Sequence, residues 1–405
     1  MAKIRPFRAL RPEPSLASQV ASVPYDVVNT EEARALAAGN DLSFLHVSRA
    51  EIDLPPDTNP YDDVVYRTAA AHFSRIRSSM VEEPEPAVYF YKLRMGAHEQ
   101  TGLAACYSVD EYEAGLVKKH EKTRRDKEDD RTRHITELRA QTGPVFLTYK
   151  ASAEVDAVAA RVSQAPPLYD LAAPDGITHT IWKAGGADLA AVVDAFGRLP
   201  ALYIADGHHR AASAARSRQS VAREPGRDGV VEADWFLAVA FPDNQTQVLP
   251  YNRVVKDLAG LTPGAFLEAV RAVFAVREGG PASPARKGEC AMFLGGTWYT
   301  LDIGTRAGSD VIGQLDVSIL QDNLLAPVLK IADVRTDKRI DFVGGVRGTA
   351  ELERLVAGGK AAVAFSMYPV SVADLMGIAD AGEIMPPKST WFEPKLRDAL
   401  LIHTI

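Results

Sequence analysis

The sequence is poor in cysteine and lacks several common active-site motifs. Only Cys106 and Cys290 occur among its 405 residues, far apart and in no CxxC spacing, so neither a disulfide framework nor a zinc cluster is indicated. The sequence has no GxxxxGKS/T loop, no GxGxxG after a strand, no GxSxG and no HExxH. These absences argue against P-loop, Rossmann, α/β-hydrolase and HExxH zinc-protease sites.

Long apolar runs are also missing, and the charge balance is acidic. No stretch approaches 18 consecutive apolar residues, and no apolar segment follows the basic residues of positions 1–16, so we expect neither a membrane helix nor a secretory signal. The 46 Lys and Arg against 53 Asp and Glu give a net charge of −7, which argues against nucleic acid as a partner. We expect a cytoplasmic protein with a small-molecule substrate and no membrane partner, and a homodimer stays open.

The composition that remains is typical of globular domains. Hydrophobic residues make up 46% and charged residues 24%, and the length predicts two to three domains. Residues 87–94 and 100–108 have the alternation of a β-hairpin, and residues 109–141 have a charged helical pattern. Thr30 is the expected N-cap of an early helix. These patterns predict an α+β fold.

A strand-turn-helix junction carries the strongest chemical signal. A short apolar strand runs into Asp206, Gly207, His208, His209 and Arg210, and an alanine-rich helix follows. Glycine permits close backbone approach, the first helical turn offers free N–H groups, and Arg210 adds a charged fork, a combination that suits phosphate. Asp206 is a candidate base or magnesium ligand, and either histidine is a candidate for stabilising charge. The alternative is an N-cap aspartate beside two structural histidines.

A charged run occupies residues 118–134. It contains eight Lys or Arg and five Asp or Glu, a mixture typical of a solvated helix with i,i+4 ion pairs. The functional interpretation concerns its start, where His120 and Glu121 lie between Lys119 and Arg124. This order places one candidate carboxylate base among phosphate-binding cations.

A third candidate lies near the C-terminus. Two prolines precede Lys388, Ser389 and Thr390, and Lys395 follows. Backbone amides, hydroxyls and two ammonium groups together favour an anion nest. A loop packed by its aromatic residues is the structural alternative.

These segments resemble those of a bacterial family, the domain-of-unknown-function 1015 family, nearly from end to end. The resemblance rests on five ordered motifs: VPYDV at 23–27, KHEKT at 119–123, ADGHHR at 205–210, LPYNR at 249–253 and PPKST at 386–390. The DGHHR element is also similar to that of free-serine kinases with a ParB/sulfiredoxin-like α+β fold, which phosphorylate L-serine to O-phosphoserine. The resemblance implies a ParB/sulfiredoxin-like mixed core at 109–258. An N-terminal α+β region at 1–108 and a C-terminal α+β region at 259–405, which contains the Lys-Ser-Thr loop, would flank this core.

The kinase resemblance also implies residue roles. Glu121 would accept the serine hydroxyl proton, Asp206 would assist as base or through magnesium, and His208, His209 and Arg210 would hold the transferred phosphate. The donor would be ATP, ADP or pyrophosphate. About 85 residues separate Glu121 from Asp206, so the intervening chain must fold out for the two to meet.

Two other functions stay open at this level. One is a ParB-like nucleotide-binding switch or DNA-associated partition-type protein without kinase activity. The other is a ligand-binding or scaffolding role. Because the kinase interpretation depends on motif similarity, the sequence alone does not separate the three.

Overall fold

The computed structural model describes residues 2–221, 231–304 and 310–405. The strands are β1 Ile4–Arg5, β2 Leu10–Pro12, β3 Met80–Glu82, β4 Val88–Met95, β5 His98–Ser108, β6 Val117–Lys118, β7 Ala140–Gln141, β8 Val145–Tyr149, β9 Tyr169–Ala172, β10 Thr178–Ala184, β11 Leu202–Asp206, β12 Trp235–Pro242, β13 Gln247–Leu249, β14 Tyr251–Val255, β15 Ala275–Glu278, β16 Glu289–Leu294, β17 Thr297–Asp302, β18 Ile340–Gly344, β19 Val363–Met367, β20 Trp391–Glu393 and β21 His403–Thr404. The helices are α1 Ala17–Val20, α2 Thr30–Ala37, α3 Leu45–Ser48, α4 Asp63–Arg77, α5 Val109–Glu113, α6 Arg125–Leu138, α7 Ala153–Val162, α8 Gly186–Gly197, α9 His208–Val221, α10 Pro263–Arg271, α11 Asp316–Leu320, α12 Gly348–Ala357 and α13 Val372–Asp380. In these parts of the chain, no helix is long and apolar enough to cross a membrane.

The chain divides into two compact units. Unit 1 contains the chain up to Thr246 together with Pro394–Ile405, and unit 2 contains Gln247–Glu393. The sequence-based regions 1–108 and 109–258 share one sheet in unit 1, because β5 of the first region pairs with β12 of the second. The division into the three regions 1–108, 109–258 and 259–405 therefore remains a prediction, and the compact units number two.

Unit 1 is built on a nine-stranded mixed sheet. Its strands follow the order β6-β11-β8-β12-β5-β4-β10-β9, and β1 pairs with β5 beside this path. Leu147, Ile204 and Ala240 of the central strands are buried in one apolar cluster with Phe196 of α8 and Ala211 of α9. Burial of each large aliphatic side chain in such a cluster contributes about 1.5–3 kcal/mol. This packing fixes α9 at the end of β11.

The pairing of β6 with β11 positions the candidate site. The two strands are parallel, with Leu202 opposite Val117 and Tyr203 opposite Lys118. Parallel strands end at the same edge of a sheet, so the residues that follow β6 and those that follow β11 emerge side by side. Residues 119–121 thus lie beside the turn at 206–208.

Unit 2 has its own six-stranded sheet. The order is β15-β17-β16-β19-β14-β18, and β13 and β20 form a separate antiparallel pair. Its apolar cluster joins Val254, Phe293 and Ala364 of the sheet to Leu352 of α12. Unit 2 is thus an α+β unit with a core of its own.

The expected α+β class is confirmed, as is the hairpin, which is formed by β4 and β5.

Two local predictions are wrong. Residues 109–141 are not one helix, since Gly115 has a φ of +77° after α5 and β6 and a loop precede α6. Thr30 does not cap α2, because the Asn29 side chain accepts the Glu32 N–H at 2.9 Å and the Glu32 carboxylate accepts the Asn29 N–H at 2.9 Å. This reciprocal pair is a capping box, in which asparagine is as effective as threonine.

Candidate functional site

The turn between β11 and α9 brings a carboxylate and a guanidinium together. Asp206 ends the strand, Gly207 has a φ of +92°, and α9 begins at His208. The Arg210 Nη2 donates to Asp206 Oδ2 at 2.7 Å, and its Nη1 donates to the Pro144 carbonyl. The turn thus holds a buried arginine directly behind the first N–H groups of α9, a geometry suited to anions.

Gly207 is required by both conformation and space, which gives a stability prediction. A Cβ at this position would lie 2.9 Å from Arg210 Nε and 3.1 Å from Arg210 Cζ. We expect Gly207→Ala to lower the free energy of unfolding by about 1–3 kcal/mol, measured by urea denaturation. Gly39→Ala is the control, since Gly39 has a φ of +74° with nothing within 4 Å of the added Cβ. Equal losses in the two variants would show that the contact with Arg210 costs nothing.

Asp206 is held between two cations. Besides Arg210, the Lys395 Nζ lies 3.4 Å from Asp206 Oδ1, and Lys395 is buried. Burial alone would raise the pKa of Asp206, but the charges of Lys395 and Arg210 outweigh it and lower the pKa well below its usual range. Asp206 is therefore an anion at neutral pH and a poor proton acceptor, which favours an electrostatic role over that of a base.

Arg210 is surrounded by carboxylates. Asp26 Oδ2 lies 3.8 Å from its Nη2. Burial lowers the pKa of Arg210, but Asp26, Asp206 and Asp398 outweigh it and raise the pKa above its usual value. Its buried Nε has no hydrogen-bond partner among the residues that the structure describes. The Nε–H is therefore a donor that the described residues leave unused.

Glu121 and His208 meet across the parallel strand pair. The His120 N–H donates to His208 Nε2 at 3.4 Å, which places the His208 proton on Nδ1. His208 Nδ1 in turn lies 3.7 Å from Glu121 Oε2. Burial lowers the pKa of His208 well below its usual range, so the ring is neutral. Since the Glu121 side chain is 46% exposed, it faces both the histidine and solvent.

His120 is buried, and its ring packs against the ring of His208. Their ring centroids are 4.4 Å apart at an interplanar angle of 86°. Burial lowers the pKa of His120 to about 4, so this ring is also neutral at pH 7. Within the described ranges, neither of its ring nitrogens has a hydrogen-bond partner. The phosphate-binding role expected for His120 therefore lacks a charged imidazole.

Three other predicted phosphate ligands are engaged with protein groups. His209 Nε2 accepts the Arg124 N–H at 3.0 Å, while the exposed Arg124 guanidinium bonds to Asp126 at 2.7 and 3.1 Å. The Lys119 Nζ lies 3.7 Å from the centroid of the Tyr112 ring. These contacts order the loop that carries Glu121, which differs from the direct phosphate contacts expected from the sequence.

A cavity of about 40 Å³ lies behind Arg210. Polar groups of Tyr25, Arg131 and Asp398 contribute to its lining, and the Arg131 guanidinium stacks 4.1 Å from the Tyr25 ring centroid. Asp398 is buried, and its Oδ1 has no hydrogen-bond partner among described residues. The volume has room for a few water molecules. The cavity therefore adjoins both apolar side chains and the buried Arg210 and Asp398.

Asp398 gives the protein a predicted pH dependence. Burial raises its pKa to about 7, and Asp26 adds to the rise while Arg210 opposes it. A carboxyl with a raised folded-state pKa binds more protons when folded, so its contribution to stability is present at pH 4 and is lost as the pH rises toward 7. We expect Asp398→Asn to reduce this loss, measured as the free energy of unfolding between pH 4 and 8. An unchanged pH slope in Asp398→Asn would contradict the assignment.

The predicted loop at 388–390 belongs to unit 2. Lys388 has a φ of +58°, and its Nζ lies 5.5 Å from the centroid of the Tyr251 ring. The buried Ser389 hydroxyl donates to the Pro386 carbonyl at 2.6 Å, and Thr390 is half-buried. The serine hydroxyl thus stabilises the loop itself, and an anion nest here would rest on backbone amides and Lys388.

The sequence did not predict that two aspartates, Asp26 and Asp398, interact with Arg210. Asp26 follows Tyr25 in a turn, a position that predicts a structural residue, and Asp398 follows Arg397 and precedes an apolar run at 399–402. Both face Arg210. The available signal for Asp398 was its place directly before the apolar run at 399–402, because an acidic residue beside a buried segment needs a partner.

The model of one protein family matches residues 4–318, more than half of the chain. The chain belongs to this family. Its description is Protein of unknown function (DUF1015), which confirms the family resemblance and leaves the activity to be argued from the site. Among curated proteins, no relative matches the chain.

Several solved structures are distantly similar. They include a free serine kinase in complex with AMP, at 14% identity and a TM-score of 0.35, over 73% of this chain and 92% of that chain. A conserved hypothetical protein from Pyrococcus furiosus matches at 17% identity and a TM-score of 0.35, over 74% of this chain and 94% of that chain. SbnI with a C-terminal truncation, from Staphylococcus aureus, matches at 12% identity and a TM-score of 0.36, over 73% and 87% of the respective chains. At such scores these likenesses decide neither fold nor activity.

Proposed function

We propose that unit 1 transfers a phosphoryl group from ATP, ADP or pyrophosphate to the hydroxyl of a small metabolite, with L-serine as the first candidate. The observation that carries the proposal is the 3.7 Å separation between Glu121 Oε2 and His208 Nδ1. It sets an accessible carboxylate beside His208, in the first turn of α9, the turn that also contains the cation Arg210. Phosphoryl transfer depends mainly on such positioning and charge neutralisation.

Glu121 acts as the general base in this proposal. The acceptor hydroxyl gives its proton to the Glu121 carboxylate while its oxygen forms a bond to the transferred phosphorus. The bond from phosphorus to the leaving phosphate oxygen breaks in the same step, and the leaving phosphate keeps that electron pair. Because Glu121 is partly exposed, an acceptor can approach it from solvent.

His208 and the α9 turn support this base and the phosphate. His208 Nδ1–H orients Glu121, since its Nε2 is already occupied by the His120 N–H. The first-turn N–H groups of α9 and the charge of Arg210 stabilise the transferred phosphoryl oxygens. We assign Asp206 and Lys395 to holding Arg210 and the turn in place.

The site would hold Mg²⁺ through one carboxylate, that of Asp206, together with the phosphates of the donor. The residues described around Asp206 offer no group of three His, Cys, Asp or Glu ligands close enough to hold a metal alone. Mg²⁺ is commonly held by one or two carboxylates plus substrate phosphates, and Asp206 would supply the carboxylate in competition with Lys395. When bound, the ion would neutralise charge on the donor phosphates.

The loop at 388–390 is a proposed separate anion site within unit 2, through Lys388 and backbone amides. We also propose that the unit 1 sheet is a ParB/sulfiredoxin-like core.

Cys106 and Cys290 are free, buried thiols. Free thiols fit the reducing cytoplasm, which we propose as the compartment of the reaction.

Phosphorus NMR tests the proposed reaction. The purified chain with Mg²⁺ and L-serine receives ATP, ADP or pyrophosphate in separate tubes, and an O-phosphoserine signal is expected to grow in one of them. Glu137→Gln should leave this signal unchanged, because Glu137 is an exposed residue of α6 paired with Arg133. Silence in all three tubes, with the protein folded, would reject L-serine as acceptor with these donors.

A further inference from the structure

Three side chains with metal-ligating atoms meet in unit 1, on elements that the proposed reaction does not use. His46 lies on α3, Asp53 ends the 3₁₀ helix Ala50–Asp53, and His72 lies on α4. Asp53 Oδ2 is 2.7 Å from His46 Nδ1 and 3.0 Å from His72 Nε2. One ligand atom from each residue lies within 4.8 Å of the other two.

The scaffold under these side chains is rigid. Val47 of α3 is buried in the same apolar cluster as Ala69 and Phe73 of α4, and Ala50 of the 3₁₀ helix belongs to it too. Each ligand therefore lies within three residues of a side chain that is buried in this cluster. Such support reduces the entropy cost of gathering three ligands around one ion.

The hydrogen bonds of His46 leave a place for a cation. Its Nε2 lies 3.2 Å from the Asn40 carbonyl and its Nδ1 lies 2.7 Å from the Asp53 carboxylate, and both partners only accept hydrogen bonds. A neutral imidazole has one N–H and satisfies only one of them. With Nε2–H donating to Asn40, a cation between Nδ1 and Asp53, either a second ring proton or a metal ion, removes that conflict. A histidine ligand whose other nitrogen donates to a backbone carbonyl is the usual arrangement in metal sites.

We propose that His46 Nδ1, Asp53 and His72 Nε2 bind a divalent transition metal, with Zn²⁺ as the ion that this ligand set suits best. Two imidazoles and one carboxylate are typical Zn²⁺ ligands, and water supplies the fourth. Water can reach the cluster, since the three side chains are 13%, 28% and 20% exposed in chain order. Tetrahedral bonds of the usual length need N···O separations of roughly 3.3 Å, so the carboxylate has to withdraw by about 0.3–0.6 Å from the two nitrogens.

The hydrogen bond from Arg75 to His72 competes with metal binding, and this competition provides a test. The Arg75 Nη2 donates to His72 Nδ1 at 3.0 Å, which places the His72 proton on Nε2, the atom that must bind the metal. Metal binding moves that proton to Nδ1 and repels the guanidinium. Because Arg75 is exposed and bonds otherwise to the Asp41 carbonyl, it can turn away. Arg75→Ala should therefore strengthen zinc binding several-fold.

Calorimetric titration of the chelator-treated full chain with ZnCl₂ tests the site. We expect one ion per chain, at least 100-fold weaker binding in His46→Gln and His72→Gln, and tighter binding in Arg75→Ala. His98→Gln is the matched control and should bind as the unaltered chain does, since His98 lies on β5 and bonds to Gln100. X-ray absorption of the zinc-loaded unaltered chain should show two imidazole ligands, a readout independent of how the variants fold.

Two outcomes would overturn the proposal. One is a folded chain that takes up no zinc, which would make the cluster an ion pair only. The other is zinc binding that His46→Gln and His72→Gln leave unchanged, which would place the ion elsewhere. Neither outcome depends on whether unit 1 transfers phosphate.

Discussion

Glu121→Gln is expected to lower kcat for phosphoryl transfer by about 10²–10⁴-fold, the usual contribution of a general base. Glutamine keeps the size of the side chain and its contact distance to His208 but cannot accept the acceptor's proton. The donor should bind nearly as before, because the α9 turn and Arg210 are unaltered. A coupled assay of turnover, with donor binding measured by calorimetry, separates these two effects.

The control for this variant is Glu137→Gln on the exposed face of α6, which should keep full turnover. Circular dichroism should show both variants folded. If Glu121→Gln turns over at the rate of the unaltered chain, Glu121 is not the base. If it loses donor binding and turnover together, Glu121 contributes to binding instead.

Asp206→Asn is expected to abolish turnover and to lower the free energy of unfolding by about 3 kcal/mol at pH 7. The amide removes the anion that lies 2.7 Å from Arg210 Nη2 and 3.4 Å from Lys395 Nζ. Both cations are buried, so each loses a partner that water does not fully replace. Urea denaturation measures the stability, and the phosphorus NMR assay measures the transfer.

The pH dependence of this loss follows from the lowered pKa of Asp206. A carboxylate with a lowered folded-state pKa stabilises the fold above its unfolded value of about 3.9 and loses that effect as the pH falls through the folded-state value. The difference between the unaltered chain and Asp206→Asn should therefore be full at pH 7 and shrink below about pH 4. Asp194→Asn is the control, because Asp194 forms an exposed pair with Arg198 that is worth at most about 1 kcal/mol. Equal losses in the two variants would contradict the buried ion-pair account.

Local patterns predicted the elements of the fold that carry strong periodicity or turn signals. The β4–β5 hairpin follows from alternating residues around Gly96, and the junction at 206–210 follows from an apolar strand, a glycine and an alanine-rich helix. The two-residue strand β6 was missed because two residues are too few to show a period. The charged residues that follow it match a helix as well as a loop.

The members of the site were predicted more completely than their contacts. Glu121 and Asp206 were both identified, but the position of Glu121 beside His208 depends on β6 pairing in parallel with β11, a long-range contact that no local pattern encodes. Lys395 was expected to bind phosphate, whereas it lies against Asp206. Burial decides such roles, because a buried lysine takes the nearest carboxylate, and burial is a property of the folded chain.

A crystal structure of the full chain with Mg²⁺, L-serine and a non-hydrolysable ATP analogue shows whether phosphoryl transfer takes place at the α9 turn. We expect the terminal phosphate at the first-turn N–H groups of α9, within reach of Arg210, with the acceptor hydroxyl beside Glu121. A terminal phosphate bound elsewhere, without contact to residues 206–210, would contradict the assignment of phosphoryl transfer to this turn.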